Sequence, residues 1–386
     1  MTNRQVAERA ASLADDLMAR GRLTDPAWRQ ALMDVPRHLF VPQAARAVPD
    51  HPDGEPYTID AKERPAQWWD AVYSDTAIIT QLDEGTSDPT AATGIPTSSI
   101  SAPGMVTAFL ELLDVRDHDR VLEIGTGTGY TGALLVRRLG GGNVTSIELD
   151  EGVAAQAASN LKASGYEPRL IVGDGAEGWP QGAPYDRVHV TCAVEHLPQA
   201  WIEQTRPGGL IVLPWSPAPH AGYMVRLDVL GGGLAVGRLV GPAGYMMMRS
   251  QRRDVPWHAH HSDEAERTRT RLDPRTMTQG GPGADLAISA LVPGLNRRSV
   301  EHPDTGEFEL LLWDEDNGSW AEIDYEPGTD TSAVHSYGPR RLWEEVSTAY
   351  LRWLSLGRPG IDRFGLTVTP DGQHHIWLDT PAQLIS

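Results

Sequence analysis

Three apolar runs in this chain each carry an acid at or near their end, and the first also turns through alternating glycines. Val121-Leu-Glu-Ile-Gly-Thr-Gly-Thr-Gly-Tyr130 leads Glu123 and Ile124 into Gly125, Thr126, Gly127 and Gly129, and a helix is expected from about Thr131 to Leu139. Ser146-Ile-Glu148-Leu149-Asp150 closes a second strand, and Leu170-Ile-Val-Gly-Asp174-Gly175 a third. Glycine lacks a Cβ, so the backbone can turn sharply there and a ligand can lie directly against it. A carboxylate at the end of the next strand is placed to accept hydrogen bonds from a ribose diol. An open α/β sheet holds a nucleoside in this way, at the carboxyl ends of its strands.

Spacing separates the nucleoside ligands. A dinucleotide fingerprint needs G-x-G-x-x-G, and here the third glycine falls one residue early, with Tyr130 in its place. A phosphate loop needs Gly-Lys-Ser/Thr, and no lysine is near. A ligand without phosphates accounts for the missing lysine and for Glu123, which would repel a pyrophosphate. S-adenosylmethionine fits. Its adenosine needs Glu148, with Leu149 beside it, and its cationic methionine part tolerates an acidic loop. Asp174 with Gly175 suits the adenine amino group. Any one of these acids could be an ordinary strand-end turn residue, but three strand ends in succession point to a cofactor.

The positioning elements follow from periodicity. Asn3 to Arg20 is helical, with Val6, Leu13, Leu17 and Met18 on one side, and Thr24-Asp25-Pro26 starts a second helix through Met33. Residues 44–94 are expected to be an irregular insertion, rich in proline, acid and glycine, with one aromatic patch at Trp68, Trp69 and Tyr73. A helix over Ala102 to Leu113 leads into strands at Val121 to Ile124, Val144 to Ile147, Arg169 to Val172, Arg187 to Thr191 and Leu210 to Leu213. Helices at Val153 to Ser164 and Pro198 to Gln204 alternate with them. The expected fold is therefore α/β, a Rossmann-like, mainly parallel sheet with helices on both faces. Tyr223 to Val229 and Leu234 to Val240, joined by Gly231-Gly-Gly233, form a closing hairpin. After Arg253 the composition changes, giving a domain over 1–253 and a smaller α+β extension over 254–386 that is expected to recognise substrate. Trp257 to Gly283 reads as a linker; Leu286 to Leu291, Phe308 to Trp313 and Trp320 to Tyr325 read as strands. Arg340 to Leu356 is a helix, and Phe364 to Leu378 a hairpin. Tryptophans 313, 320, 343, 353 and 377 supply this segment's own core.

The 386 residues carry a formal charge of −19, which disfavours general affinity for nucleic acid or an anionic membrane. A single cysteine, Cys192, excludes an internal disulfide and a multi-cysteine metal site, consistent with a reducing cytoplasm. No signal core stands at the start and no run is apolar enough to span a bilayer, so a cytoplasmic protein is expected.

Two further segments resemble the protein-L-isoaspartate O-methyltransferases. Val35-Pro36-Arg37-His38-Leu39-Phe40-Val41-Pro42 is similar to the family's early signature. Ser99-Ile100-Ser101-Ala102-Pro103 is similar to its Thr-Ile-Ser-Ala-Pro loop, and Tyr73-Ser74-Asp75 to the Tyr-x-Asp before it. Val172-Gly-Asp-Gly175, Pro184 to Val190 and Arg206 to Pro214 match in order, so the resemblance covers about residues 1 to 250. It implies the seven-stranded class I methyltransferase fold. Departures are Ile95-Pro96-Thr97 in place of a glycine, Gly104 in place of a histidine, a longer stretch before Ser98, and the extension. These features resemble the actinobacterial subgroup associated with ribosomally made, enzymatically modified peptides such as graspetides and lanthipeptides. The resemblance implies esterification of an aspartate in a precursor peptide, with the ester closing to an aspartimide; general isoaspartate repair is the parent activity.

A carboxylate acceptor has a pKa near ~4, so it is already ionised at neutral pH and needs no general base. The protein must instead desolvate it, orient one oxygen and exclude water. Ser101 is the candidate to hold it, with Ser98, Ser99 and Ile100 supporting the loop or cofactor. The bland alternative is that these serines cap the helix beginning near Pro103. A small-molecule O-methyltransferase and an inactive cofactor-binding scaffold are the competing functions. His258, His260 and His261 with Asp263 and Glu264 form no ordered ligand pattern, so no metal is expected. His374 and His375 point to opposite strand faces. Cys192 reads as a small buried hydrophobe near the pocket, and His196 as a base the chemistry does not require.

Overall fold

The computed structural model describes residues 1–51, 53–218, 221–253 and 264–385. They form two compact units. The first comprises Met1–Cys192, Pro198–Leu213 and Arg226–Ala235, and the second Ala193–Leu197, Pro214–Val225 and Val236–Ser386. Among the described residues no helix is long and apolar enough to cross a membrane.

In the first unit α1 (Asn3–Ala19) starts at a capping box. Gln5 N donates to Thr2 Oγ1 and Thr2 N to Gln5 Oε1, which satisfies two otherwise unpaired donors. Ala10, Leu13, Ala14 and Leu17 form its buried stripe. In α2 (Pro26–Asp34) Ala27 N donates to Asp25 Oδ1 at 2.7 Å, and proline occupies the first turn, as its sequence foretells.

The stretch 44–94 is not irregular. It contains β1 (Ala44–Pro49), β2 (Tyr57–Asp60), α3 (Pro65–Val72) and β3 (Thr76–Leu82), and β4 (Pro96–Ile100) completes an antiparallel sheet in the order β2-β1-β3-β4. The strands are four to seven residues long, and alanines supply part of their buried face (Ala45, Ala47, with Ile59, Ile78, Leu82 and Ile100). Alternation that short and that weakly apolar is hard to distinguish from loop.

The parallel core is as expected. After α4 (Pro103–Leu112) come β5 (Val121–Ile124), α5 (Tyr130–Leu139), β6 (Val144–Glu148), α6 (Glu151–Ser164), β7 (Arg169–Val172), β8 (Tyr185–Val190), α7 (Gln199–Glu203) and β9 (Thr205–Ala218). Strands β9-β8-β5-β6-β7 lie side by side and parallel. Next come β10 (Ala221–Gly231) and β11 (Leu234–Pro242), joined at Gly231 to Gly233.

The second unit adds β12 (Glu266–Thr270), α8 (Thr276–Gln279), α9 (Gly281–Leu291), β13 (Asn296–His302), β14 (Glu307–Asp314), β15 (Ser319–Tyr325), β16 (Ser332–Tyr337), α10 (Leu342–Ser355), β17 (Phe364–Val368) and β18 (His374–Leu378). Strands β12-β16-β15-β14-β13 form an antiparallel sheet. Two expectations are corrected here. Leu286 to Leu291 belongs to helix α9, because a short apolar run fits a buried helix and a buried strand equally. The expected linker contains β12, α8 and the start of α9; Trp257 to Asp263, including the histidine cluster, lies outside the described residues. Among the described residues of the second unit, β18 pairs with β17 and β17 neighbours β11. Trp320, Trp343, Trp353 and Trp377 are buried, Trp377 fitting over Gly365, while Trp313 is half-buried.

Candidate functional site

The turn after β5 rests on three left-handed glycines, with φ of 90° at Gly125, 56° at Gly127 and 91° at Gly129. A Cβ at position 125 would stand 2.6 Å from Thr191 Oγ1, and one at 129 would stand 2.9 Å from Leu161 Cγ. Strand β6 holds the turn in place. Gly125 N and Thr126 N both donate to Ile147 O, at 2.9 and 3.1 Å, and Gly127 N donates to Glu148 Oε2 at 2.9 Å. Glu148 Oε1 accepts from Asp150 N at 3.1 Å. Burial raises the Glu148 carboxyl above its ordinary value, while these backbone donors pull it down. Each oxygen keeps a lone pair for a further donor, as a ribose diol requires.

Leu149 is 41% exposed at the same strand end. At the end of β7 Asp174 is exposed, and its Oδ1 accepts from Ala176 N at 2.9 Å, so it is a turn cap with one oxygen to spare. Gly175 packs on β5, where a Cβ would meet Ile124 Cγ2 at 2.7 Å, and Trp201 Nε1 donates to its carbonyl at 2.7 Å. Glu123 and Ile124 are placed differently from the rest of the set. Both side chains are buried, Glu123 completely, and Glu123 Oε2 accepts from Ser146 Oγ at 2.5 Å.

The serine segment is β4, the edge strand of the antiparallel sheet, with Ile79 opposite Ser99 and Ile78 opposite Ile100. It lies against the glycine turn: a Cβ at Gly127 would be 3.4 Å from Ser99 O. Ser98 and Ile100 are buried, and Ser98 Oγ accepts from Thr80 Oγ1 at 3.2 Å. Ser101 is half-buried, and its hydroxyl has no hydrogen-bond partner among the described residues. Helix capping does not occupy it, since the N-cap of α4 is Ala102 and no side chain of that residue caps the helix. Asp75 takes that part instead, with Gly104 N donating to its Oδ1 at 2.7 Å. A Cβ at position 104 would stand 2.6 Å from Asp75 Oδ2, which accounts for glycine there.

Arg37 is the residue most clearly missed. It is 1% exposed and donates to three carbonyls: Val72 O at 2.5 Å, Thr76 O at 2.8 Å and Ser101 O at 3.1 Å. The contacts of Asp75 with Gly104, of Thr191 with the glycine turn and of Trp201 with Gly175 likewise carry no signal in the sequence. Arg37 and Asp75 lay within motifs visible in the sequence, which gave no hint of the contact between them and the serine loop. Trp68 is buried and donates from Nε1 to Pro42 O; Trp69 is half-buried and stacks on Tyr73 with centroids 6.0 Å apart. Tyr73 Oη lies 2.8 Å from His38 Nδ1. Cys192 is half-buried, and burial with the nearby Glu148 and Asp174 carboxylates pushes its thiol up to about 12, so it is no nucleophile at neutral pH. In the second unit His196 is exposed, with its Nε2 3.6 Å from Glu195 Oε1.

A left-handed glycine turn, a strand-end carboxylate with unused lone pairs and a second exposed carboxylate fit an adenosyl ligand. Together with the parallel sheet they define an α/β methyltransferase that uses S-adenosyl-L-methionine. The family profile described as protein-L-isoaspartate(D-aspartate) O-methyltransferase matches residues 8–251, and the chain belongs to this family of protein O-methyltransferases. Among its relatives is the protein-L-isoaspartate O-methyltransferase of Ignicoccus hospitalis, 33% identical over 225 residues, or 58% of this chain and 88% of the relative. Protein-L-isoaspartate O-methyltransferase 1 of Archaeoglobus fulgidus is 35% identical over 200 residues, or 51% and 76% of the two chains. A solved protein-L-isoaspartate O-methyltransferase matches with a TM-score of 0.54 at 20% identity, covering 96% of this chain and 100% of its own. That likeness of fold reaches past residue 253, so a long C-terminal region is not peculiar to this chain.

Proposed function

We propose that the chain esterifies the side-chain carboxylate of an isoaspartyl or aspartyl residue in a protein or peptide, with Ser101 holding that carboxylate. The observation that carries this reading is the half-buried, unpartnered Ser101 hydroxyl, one strand-end away from the point where Ser99 O meets the glycine turn. Bound S-adenosylmethionine supplies an electrophilic methyl group. The Ser101 hydroxyl donates to one carboxylate oxygen and leaves the other free to attack. Gly125, Thr126, Gly127 and Gly129 cradle the cofactor, and Glu148 accepts from its ribose. Leu149, Asp174 and Gly175 border its adenine, while Ser98, Ser99 and Ile100 hold the strand. The test is Ser101→Ala. A lost hydrogen bond to a charged group is worth about 1.5–3 kcal/mol, so kcat should fall about 10- to 100-fold with cofactor affinity unchanged. An unchanged kcat rejects the role.

The preferred substrate is a ribosomally made modified peptide whose methyl ester closes to an aspartimide. The departures at residues 95–97 and Gly104 favour this reading, and the second unit is proposed to grip the peptide. Isoaspartate repair is the second reading, favoured by the names of the relatives. Competition between an isoaspartyl peptide and a cyclised aspartyl peptide separates them. A preference for the cyclised peptide above about 100-fold in kcat/KM supports maturation, and the reverse preference supports repair. Deletion after Arg253 is a poor test of the second unit, because it strips β17 from β11. Photo-crosslinking from a substrate peptide is better, and labels confined to residues 1–253 would reject the proposed role.

A further inference from the structure

Glu123, the acid of the glycine-turn strand, is fully buried, and no cation among the described residues pairs with it. In register, Glu123 of β5 stands between Ser146 of β6 and His189 of β8, so the three side chains share one face of the sheet. Ser146 Oγ donates to Glu123 Oε2 and lies 2.6 Å from Thr126 Oγ1 in the turn. Gly132 of α5 closes the space on the helix side, where a Cβ would stand 2.9 Å from Glu123 Oε2. Glu123 Oε1 and both ring nitrogens of His189 have no hydrogen-bond partner among the described residues. His189 is 2% exposed beside Phe109, and burial holds it down to about 4, so it is neutral and supplies no positive charge. The charged group that does act on Glu123 is Glu148, another carboxylate, which opposes ionisation.

Burying a carboxylate ion with one hydroxyl donor and no cation costs far more than burying a neutral carboxyl in the same place. We propose that Glu123 is an uncharged positioning residue that fixes the glycine turn from beneath through Ser146 and Thr126, and that it gives the cofactor's sulfonium no counter-charge. Discrimination between S-adenosylmethionine and its demethylated product, which differ in charge at sulfur, is then independent of position 123.

Calorimetric titration of wild type, Glu123→Gln and Glu123→Ala with both ligands tests this. Glu123→Gln keeps the acceptor for Ser146 and should weaken both ligands less than about threefold; Glu123→Ala removes the support and should weaken both about tenfold. In each variant the ratio of the two dissociation constants should stay within about twofold. A selective loss of S-adenosylmethionine of about tenfold or more in Glu123→Gln overturns the proposal, because only a charge at position 123 distinguishes the ligands in that way. Unchanged affinity in Glu123→Ala overturns the positioning role. Infrared difference spectra of ligand-free wild type minus Glu123→Gln give a readout without cofactor. A protonated-carboxyl C=O band at neutral pH is expected, and carboxylate bands in its place overturn the proposal even if Glu123→Ala does not fold.

Discussion

Arg37 Nη2 donates to the main-chain oxygen of Ser101 at 3.1 Å, across 64 positions of sequence. The same guanidinium holds Val72 O and Thr76 O, so one buried arginine ties the Val35-Pro36-Arg37 turn, the end of α3 and the serine loop together. Arg37→Met leaves three carbonyls without this donor and should cost about 2–4 kcal/mol in urea unfolding. Arg37→Lys keeps the charge but not the fork of donors, and kcat should fall about tenfold. If cofactor affinity fell as far as kcat in the lysine variant, the arginine would be supporting the whole domain rather than the serine loop.

Asp75 and Gly104 form a matched pair at the start of α4, one supplying the cap and the other the room for it. Asp75→Ala should cost about 1 kcal/mol and Gly104→Ala about 1–3 kcal/mol. Both substitutions damage the same contact, so the double variant should lose clearly less than the sum. Simple additivity in a thermal or urea double-mutant cycle contradicts the pairing.

Glu148, at the carboxyl end of β6, accepts from Gly127 N and Asp150 N and is proposed to accept from the ribose as well. Glu148→Ala should raise the dissociation constants of S-adenosylmethionine and its demethylated product alike, by about tenfold or more. Calorimetry that finds both unchanged removes Glu148 from the cofactor site.

Burial raises the Glu123 carboxyl from 4.5 to about 8. Between those values the folded protein keeps a proton that the unfolded chain has released, so Glu123 makes stability fall as pH rises through this window and then level off. Glu123→Gln lacks that dependence. Its stability relative to wild type should therefore improve from about pH 5 to about pH 8, by at most roughly 1.4 kcal/mol per pH unit. Parallel stability curves for the two proteins across this range would show that Glu123 ionises normally.

Much of this site was legible because its parts are local. The glycine turn, Glu148 and Asp174 lie at the ends of consecutive strands, and strand–helix alternation alone orders those strands. The contact of Arg37 with Ser101 and the capping of Gly104 by Asp75 join segments far apart in sequence, and no periodicity signals them. Glu123 was visible, but its burial was not: an acid two positions before a glycine turn reads the same whether it points into the sheet or toward the ligand. The antiparallel sheet of residues 44–100 was hidden by short strands, some alanine-faced, and α9 by an apolar run too short to reveal its period.

Mass spectrometry of an isoaspartyl or aspartyl peptide, incubated with S-adenosylmethionine and either wild type or Ser101→Ala, tests the account most directly. One methyl group should appear on the side-chain carboxylate as a base-labile ester, at a rate about 10- to 100-fold lower in the variant. A methyl group on nitrogen or on a hydroxyl, or equal rates in the two proteins, would contradict it.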